Sequence, residues 1–96
     1  MPWVHIQKAA QATWDDYERV QQEIGDDPPP GLIYHAAGDQ GDGRWQAVTI
    51  WESQDDYNRF RDERLMPAVQ RALGDQMLQQ GPPPEESFEA KHTIAR

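Results

Sequence analysis

The sequence predicts a single two-layer α+β domain of order β-α-β-β-α-β, and three observations carry that prediction. One unit occurs twice: Val4-His5-Ile6 precedes Thr13-Trp14-Asp15-Asp16-Tyr17, and Val48-Thr49-Ile50 precedes Ser53-Gln54-Asp55-Asp56-Tyr57. Each copy reads as a β-branched strand, a hydroxyl N-cap, two acids in the first helical turn and an aromatic anchor. Between the copies, Asp39-Gln40-Gly41-Asp42-Gly43 joins two strand-like segments through a loop rich in glycine and acid, the mark of a hairpin. Finally, 96 residues of which 36% are hydrophobic make one domain with one core.

The elements follow in order. Trp3 through Lys8 alternates and is rich in strand formers, giving the first strand. Thr13 opens a helix, with Asp16 in the capping-box position. Trp14, Tyr17, Val20 and Ile24 recur at helical spacing and form one apolar stripe, and Gly25 is the expected left-handed C-cap. Asp26 to Pro30 forms a stiff connector. Leu32 to Gly38 is the second strand, and Arg44 to Glu52 the third, antiparallel to it. Ser53 caps a second helix that should bury Tyr57 and Phe60. Pro67 cannot sit inside a helix without removing a hydrogen bond, so a kink is expected there, then a short helix with Pro67 at its first position, ending at Leu73 and Gly74. Residues 75 to 84 read as a loop, and Ser87 to Ala95 as the last strand. This is the ferredoxin-like split unit.

Composition excludes several classes. There is no cysteine, which removes disulfides, thiolate metal sites and Cys nucleophiles. The net charge of -8 would be repelled by nucleic-acid phosphates and anionic membranes, so neither is an expected partner. No apolar run approaches the ~20 residues that span a bilayer, and the N-terminus lacks a basic region followed by an apolar stretch. A cytoplasmic location is expected. Asp39, Asp42 and Glu52 match no calcium pattern, and no metal site is expected.

Alternation across the strands sorts side chains into two sets. Val4, Ile6, Val48 and Ile50 are the natural helix-facing set. Trp3, His5, Gln7, Trp45, Ala47, Thr49 and Trp51 then lie on the face the helices leave bare. Three buried tryptophans hide roughly 450–750 Å², on the order of 10 kcal/mol at ~25 cal/mol/Å². The expectation is a homodimer in which two such faces meet and enclose a barrel-like interior. As plain interface packing, the same tryptophans need no ligand.

With those stretches in view the chain resembles the dimeric α/β-barrel superfamily, and most closely its antibiotic biosynthesis monooxygenase-like branch. The likeness rests on Pro30-Gly31-Leu32-Ile33-Tyr34-His35-Ala36-Ala37-Gly38, on Val48-Thr49-Ile50-Trp51-Glu52-Ser53, and on Phe60 with Arg64-Leu65-Met66-Pro67-Ala68-Val69. It implies a homodimer that binds an aromatic or polyketide-like small molecule without a bound cofactor. Known relatives include cofactor-free oxygenases, haem-degrading oxygenases, isomerases and cyclases. The cofactor-free oxygenases pair an interior tryptophan with an asparagine, and the only asparagine here is Asn58. Haem-degrading relatives bind iron through a histidine on the second helix, and none occurs between Ser53 and Leu73.

The candidate catalytic residues are His5 and His35, because an imidazole in a water-poor cavity can accept and return a proton near neutral pH. His35 shares the face of Ala47 if Asp39 to Gly43 form the hairpin loop; a loop one residue shorter puts Tyr34 there instead. Trp45, Thr49 and Trp51 are candidates to hold a flat substrate, with Tyr34, Asn58 and His92 as further contacts. For each histidine the competing reading is a hydrogen-bonded structural side chain, and for Asn58 a solvated helix face. The function expected is a cofactor-independent monooxygenase. The alternatives are a cyclase or isomerase using the histidines for enolisation, or a non-catalytic ligand-binding or stress-related dimer.

Overall fold

A computed structural model describes residues 2–74 and 84–94. Strand β1 (Trp3–Thr13) leads into helix α1 (Trp14–Ile24), followed by β2 (Leu32–Asp39) and β3 (Arg44–Trp51). Helix α2 (Gln54–Phe60) then runs through a π-helical turn (Arg61–Leu65) into α3 (Met66–Leu73), and β4 (Glu85–Glu89) completes the set. The four strands form one antiparallel sheet in the order β2-β3-β1-β4, which is the ferredoxin-like arrangement.

Both helix starts form as their sequences dictate. The Thr13 hydroxyl accepts the Asp16 amide at 3.2 Å, and the Asp16 carboxylate accepts the Thr13 amide at 3.1 Å. This reciprocal cap satisfies two donors that a helix start otherwise leaves open. Ser53 repeats half of it, its Oγ accepting the Asp56 amide at 3.3 Å. Gly25 ends α1 with φ +89° but ψ 179°, so the chain leaves along an extended path and not through a left-handed cap. Gly31 has φ +86° and its Cα is packed on the Asp56 side chain, with no room for a Cβ. Only glycine meets both demands.

Pro67 is accommodated without a break. Because proline offers no amide to the turn before it, the helix widens: the Met66 amide donates to the Arg61 carbonyl, five residues back. A π-turn of this kind absorbs the missing bond while the axis continues. α3 then ends where Gly74 takes φ +53°.

The middle strands end within one residue of expectation, β2 at Asp39 and β3 at Trp51, and the outer limits of β1 and β4 differ by more. β1 extends to Thr13 because Lys8 still pairs with Gln46 and Thr13 with Arg44 across a bulge, and the Gln40 side chain donates to the Ala9 carbonyl at 3.0 Å. β4 begins at Glu85 and ends at Glu89, short of Ala95. The expected 75–84 loop falls almost wholly outside the described residues. In the β2–β3 hairpin Asp39 pairs with Trp45, so His35 lies opposite Thr49 and not Ala47. The shift is by two residues, which preserves the face.

The larger correction concerns which face the helices cover. Trp3 and Trp51 pack against Tyr57 of α2, with ring centroids 5.2 and 5.7 Å apart. Trp51 also meets Phe60 at 5.3 Å, and Trp45 meets Tyr17 of α1 at 5.6 Å. The indoles are therefore the helix-facing set. Val4, Ile6, Val48 and Ile50 project to the other side by alternation, together with Tyr34, Ala36 and Phe88 through their register. The two sets were legible; their sense was reversed, because aromatic anchors on α1 and α2 reach the sheet only where large rings rise to meet them. Trp51, 1% exposed, is the centre of the core.

Candidate active site

The aromatic rings hold the helices away from the sheet and leave a cavity of about 940 Å³ between the layers. Its walls are Trp14, Tyr17, Val20 and Ile24 from α1, Trp45, Ala47, Thr49 and Trp51 from β3, and Tyr57, Phe60, Leu65 and Val69 from the second helical arm. The stripe predicted on α1 is thus one wall of the cavity. This volume lies at the upper end of the range usual for small-molecule sites, and apolar walls with a few polar groups are their usual make-up.

The sheet contributes a row of polar groups. His35 of β2 pairs with Thr49 of β3, and Thr49 pairs with His5 of β1. The two histidines and the threonine form one row across three adjacent strands, all facing the cavity. At ~4.8 Å per strand the histidine backbones stand about 10 Å apart. Thr49 Oγ1 accepts the Trp51 indole N–H at 2.8 Å, which leaves the threonine hydroxyl proton available to a ligand.

Each histidine has a different partner. His5 is 4% exposed and packs against the rings of both Trp3 and Tyr57, at 5.3 and 4.2 Å. Its Nε2 stands 2.8 Å from a carboxylate oxygen of Glu85, whose side chain is more than half exposed at the cavity rim. The Nε2 of His35 stands 2.5 Å from the Tyr17 hydroxyl. Burial pushes the His35 imidazole below its ordinary value and the Tyr17 phenol above its own, so near neutral pH His35 is uncharged and Tyr17 protonated. Tyr57 is pushed up to about 12, first by burial and then by the Glu85 charge, against the opposing pull of Arg61. Arg61 also lines the cavity and lies over the Tyr57 ring at 5.9 Å.

Of the residues singled out in the sequence, His5, His35, Trp45, Thr49 and Trp51 line the cavity. Tyr34 does not: it belongs to the opposite sheet face and is 60% exposed, because the longer hairpin loop gives His35 the inner position. Asn58 is half-buried on α2 but outside the lining, one residue past the inward-turned Tyr57. His92 is exposed beyond the end of β4. Several polar lining residues, Tyr17, Tyr57, Arg61 and Glu85 among them, lie outside the set singled out from the sequence. Tyr17 and Tyr57 had been placed in apolar stripes, where a phenol is easily read as packing alone. Glu85 precedes the expected start of the last strand, and only the pairing of Gln7 with Glu85 turns it to the same face as His5. Among the described residues no group of three His, Asp or Glu is placed to hold a metal ion, and no helix is long and apolar enough to cross a membrane.

No family model and no curated protein sequence matches the chain. Solved structures do. A candidate antibiotic biosynthesis monooxygenase from Chloroflexus aurantiacus superposes with a TM-score of 0.68 at 16% identity, over 99% of this chain and 98% of that one. The monooxygenase ActVA-Orf6 of Streptomyces coelicolor, solved with the ligand nanaomycin D, gives 0.60 at 17% identity over 99% and 91%. SnoaB, a cofactor-independent oxygenase from Streptomyces nogalater, gives 0.57 at 16% identity over 99% and 96%. Likeness at this level of identity speaks for architecture alone: the chain has the α+β ferredoxin-like fold of antibiotic biosynthesis monooxygenase-like proteins.

Proposed function

We propose that this protein is a small-molecule oxygenase that works without a bound cofactor on a flat aromatic, polyketide-like substrate held between the sheet and the helices. The observation that carries the reading is the row His35–Thr49–His5 at the floor of an apolar cavity walled by indoles. The fold shared with SnoaB and ActVA-Orf6 supports it.

The chemistry asks little beyond proton handling. A ring activated by a ketone and phenolic groups loses a C–H proton to an imidazole and becomes an electron-rich enolate. The enolate gives one electron to dioxygen, the two radicals combine, and a carbon–oxygen bond forms. The peroxide anion takes a proton, and loss of water then breaks the O–O bond and the second C–H bond to leave a new ketone. One dioxygen is consumed per ketone and one water is released, so atoms and electrons balance. Exclusion of bulk water lengthens the life of the anion, and the Thr49 hydroxyl can donate to its oxygen.

The assay uses dithranol, a three-ring dihydroxyanthrone whose methylene is oxidised in this way. Oxygen uptake above the uncatalysed rate is expected, with a drop of about 10²–10⁴ in His5→Ala and His35→Ala. Equal activity in both variants would reject their roles. The position of Asn58 outside the cavity favours a second reading, enolisation alone as in a cyclase or isomerase. In that case the probe exchanges its methylene protons with solvent but consumes no oxygen.

A homodimer is part of the proposal, built through the outer sheet face. Ile6, Val48 and Ile50 with Tyr34 and Phe88 form an apolar surface that the helices do not cover, and Tyr34, Val48 and Phe88 are 60%, 36% and 53% exposed. Contiguous apolar patches of this kind are uncommon on monomers, and a second copy supplies a matching face across a two-fold axis.

A further inference from the structure

The two histidines are not equivalent, and their hydrogen-bond partners say how they differ. Glu85 is a carboxylate and can only accept, so the proton between it and His5 sits on Nε2 of the imidazole. The lone pair of a neutral His5 is then on Nδ1. At His35 the same nitrogen faces a phenol. A Tyr17 hydroxyl that keeps its proton donates to Nε2, and the proton of a neutral His35 is then on Nδ1. One partner fixes each ring in one tautomer, and the two tautomers are opposite.

We propose that Glu85 is a positioning residue that makes His5 the proton acceptor of the site, while Tyr17 makes His35 a neutral hydrogen-bond donor to the substrate oxygen on the far side of Thr49. A ligand lying along the row would present its acidic C–H towards His5 and its ketone or phenolate oxygen towards His35 and Thr49. The span of about 10 Å between the histidine backbones suits a ligand of fused rings whose two reacting edges lie on opposite sides. The depressed imidazole of His35 and the raised phenol of Tyr17 agree with this division, since neither then changes charge near neutral pH. The same pattern, a carboxylate orienting a basic imidazole and a separate neutral imidazole polarising an oxygen, is general acid–base chemistry with the two tasks kept apart.

The direction of proton flow rests on the proposed enzymatic reading; the tautomers do not. Two-bond proton–nitrogen correlation spectra of protein labelled with 15N-histidine, at a mildly alkaline pH where ordinary imidazoles are neutral, report each tautomer without any ligand. The expected result is Nε2–H at His5 and Nδ1–H at His35, with His35 reverting to Nε2–H or to an averaged pattern in Tyr17→Phe. The same tautomer at both rings, or no response of His35 to Tyr17→Phe, overturns the assignment.

Proton flow is then read by exchange of the dithranol methylene protons with deuterated solvent under anaerobic conditions. Glu85→Gln should lower the exchange rate about tenfold or more, a part of the 10²–10⁴ that a general base supplies, and move the acid limb of its pH profile. Tyr17→Phe should lower the rate and leave that limb in place. If Glu85→Gln exchanges like the parent while the parent still consumes oxygen, the role given to Glu85 fails and the oxygenase reading stands. If exchange follows the expected pattern without oxygen uptake, the oxygenase reading fails and the assignment stands. A parent protein that neither exchanges nor oxidises the probe contradicts both.

Discussion

Trp51 is the largest fully buried side chain among the described residues: it is 1% exposed, meets Tyr57 and Phe60, and gives its indole N–H to Thr49. Truncating a buried aromatic of this size costs about 3–5 kcal/mol. Trp51→Ala should therefore lower the midpoint of urea unfolding, and the dimer contacts proposed for the other face of the sheet should be affected only through that loss. An unchanged midpoint would show that the ring is not the core. His35 adds a pH dependence of definite sign. Its folded value is depressed below 6.5, so the folded state resists the proton that the unfolded chain accepts. Its contribution to stability is complete above about 6.5 and is lost as pH falls from there to the folded value. His35→Gln should flatten the acid side of the stability curve over that window, and a curve of unchanged slope would contradict the shift.

The elements are held by local devices that the sequence spells out. Thr13→Ala removes the reciprocal cap of α1 and should cost about 1 kcal/mol, measurable by thermal unfolding. The N-terminal caps, the stripe on α1 and the existence of the hairpin were legible, because each depends on residues within a turn or two of one another, whereas the expected restart at Pro67 gave way to a π-turn that carries the helix through. The extent of β1 was not, since Ala9 and Ala10 join it only through long-range bonds from Gln40 and Arg44. The sense of the sheet was not legible either. Alternation separates Trp3, His5 and Thr49 from Val4, Ile6 and Val48 with certainty, but nothing local says which set meets α1 and α2. The usual preference for aliphatic cores pointed the wrong way here. Helices armed with Tyr17, Tyr57 and Phe60 need large partners, and the smaller β-branched side chains are left to make a flat outer surface.

At the scale of the whole molecule this inversion separates two roles that the sequence reading had placed together. The indole face and both histidines belong to a cavity within one chain, and the proposed association is assigned to the aliphatic face behind it. His5 and His35 came together because a register shift of two leaves the inward set unchanged; Tyr34 left the site because the hairpin register gives the inner position to His35, and His92 because β4 ends at Glu89. If the outer face is the dimer contact, a charge placed in it should separate the copies without emptying the cavity. Val48→Asp is expected to sediment as a monomer of 11.1 kDa, while an unaltered dimer would place the contact elsewhere.

The most direct test of the account is oxygen consumption by the purified protein with dithranol, measured beside the formation of the quinone product. One dioxygen per quinone is predicted, at a rate well above autoxidation and sharply reduced in His5→Ala and in His35→Ala. A rate no greater than that of the probe alone in buffer would contradict it.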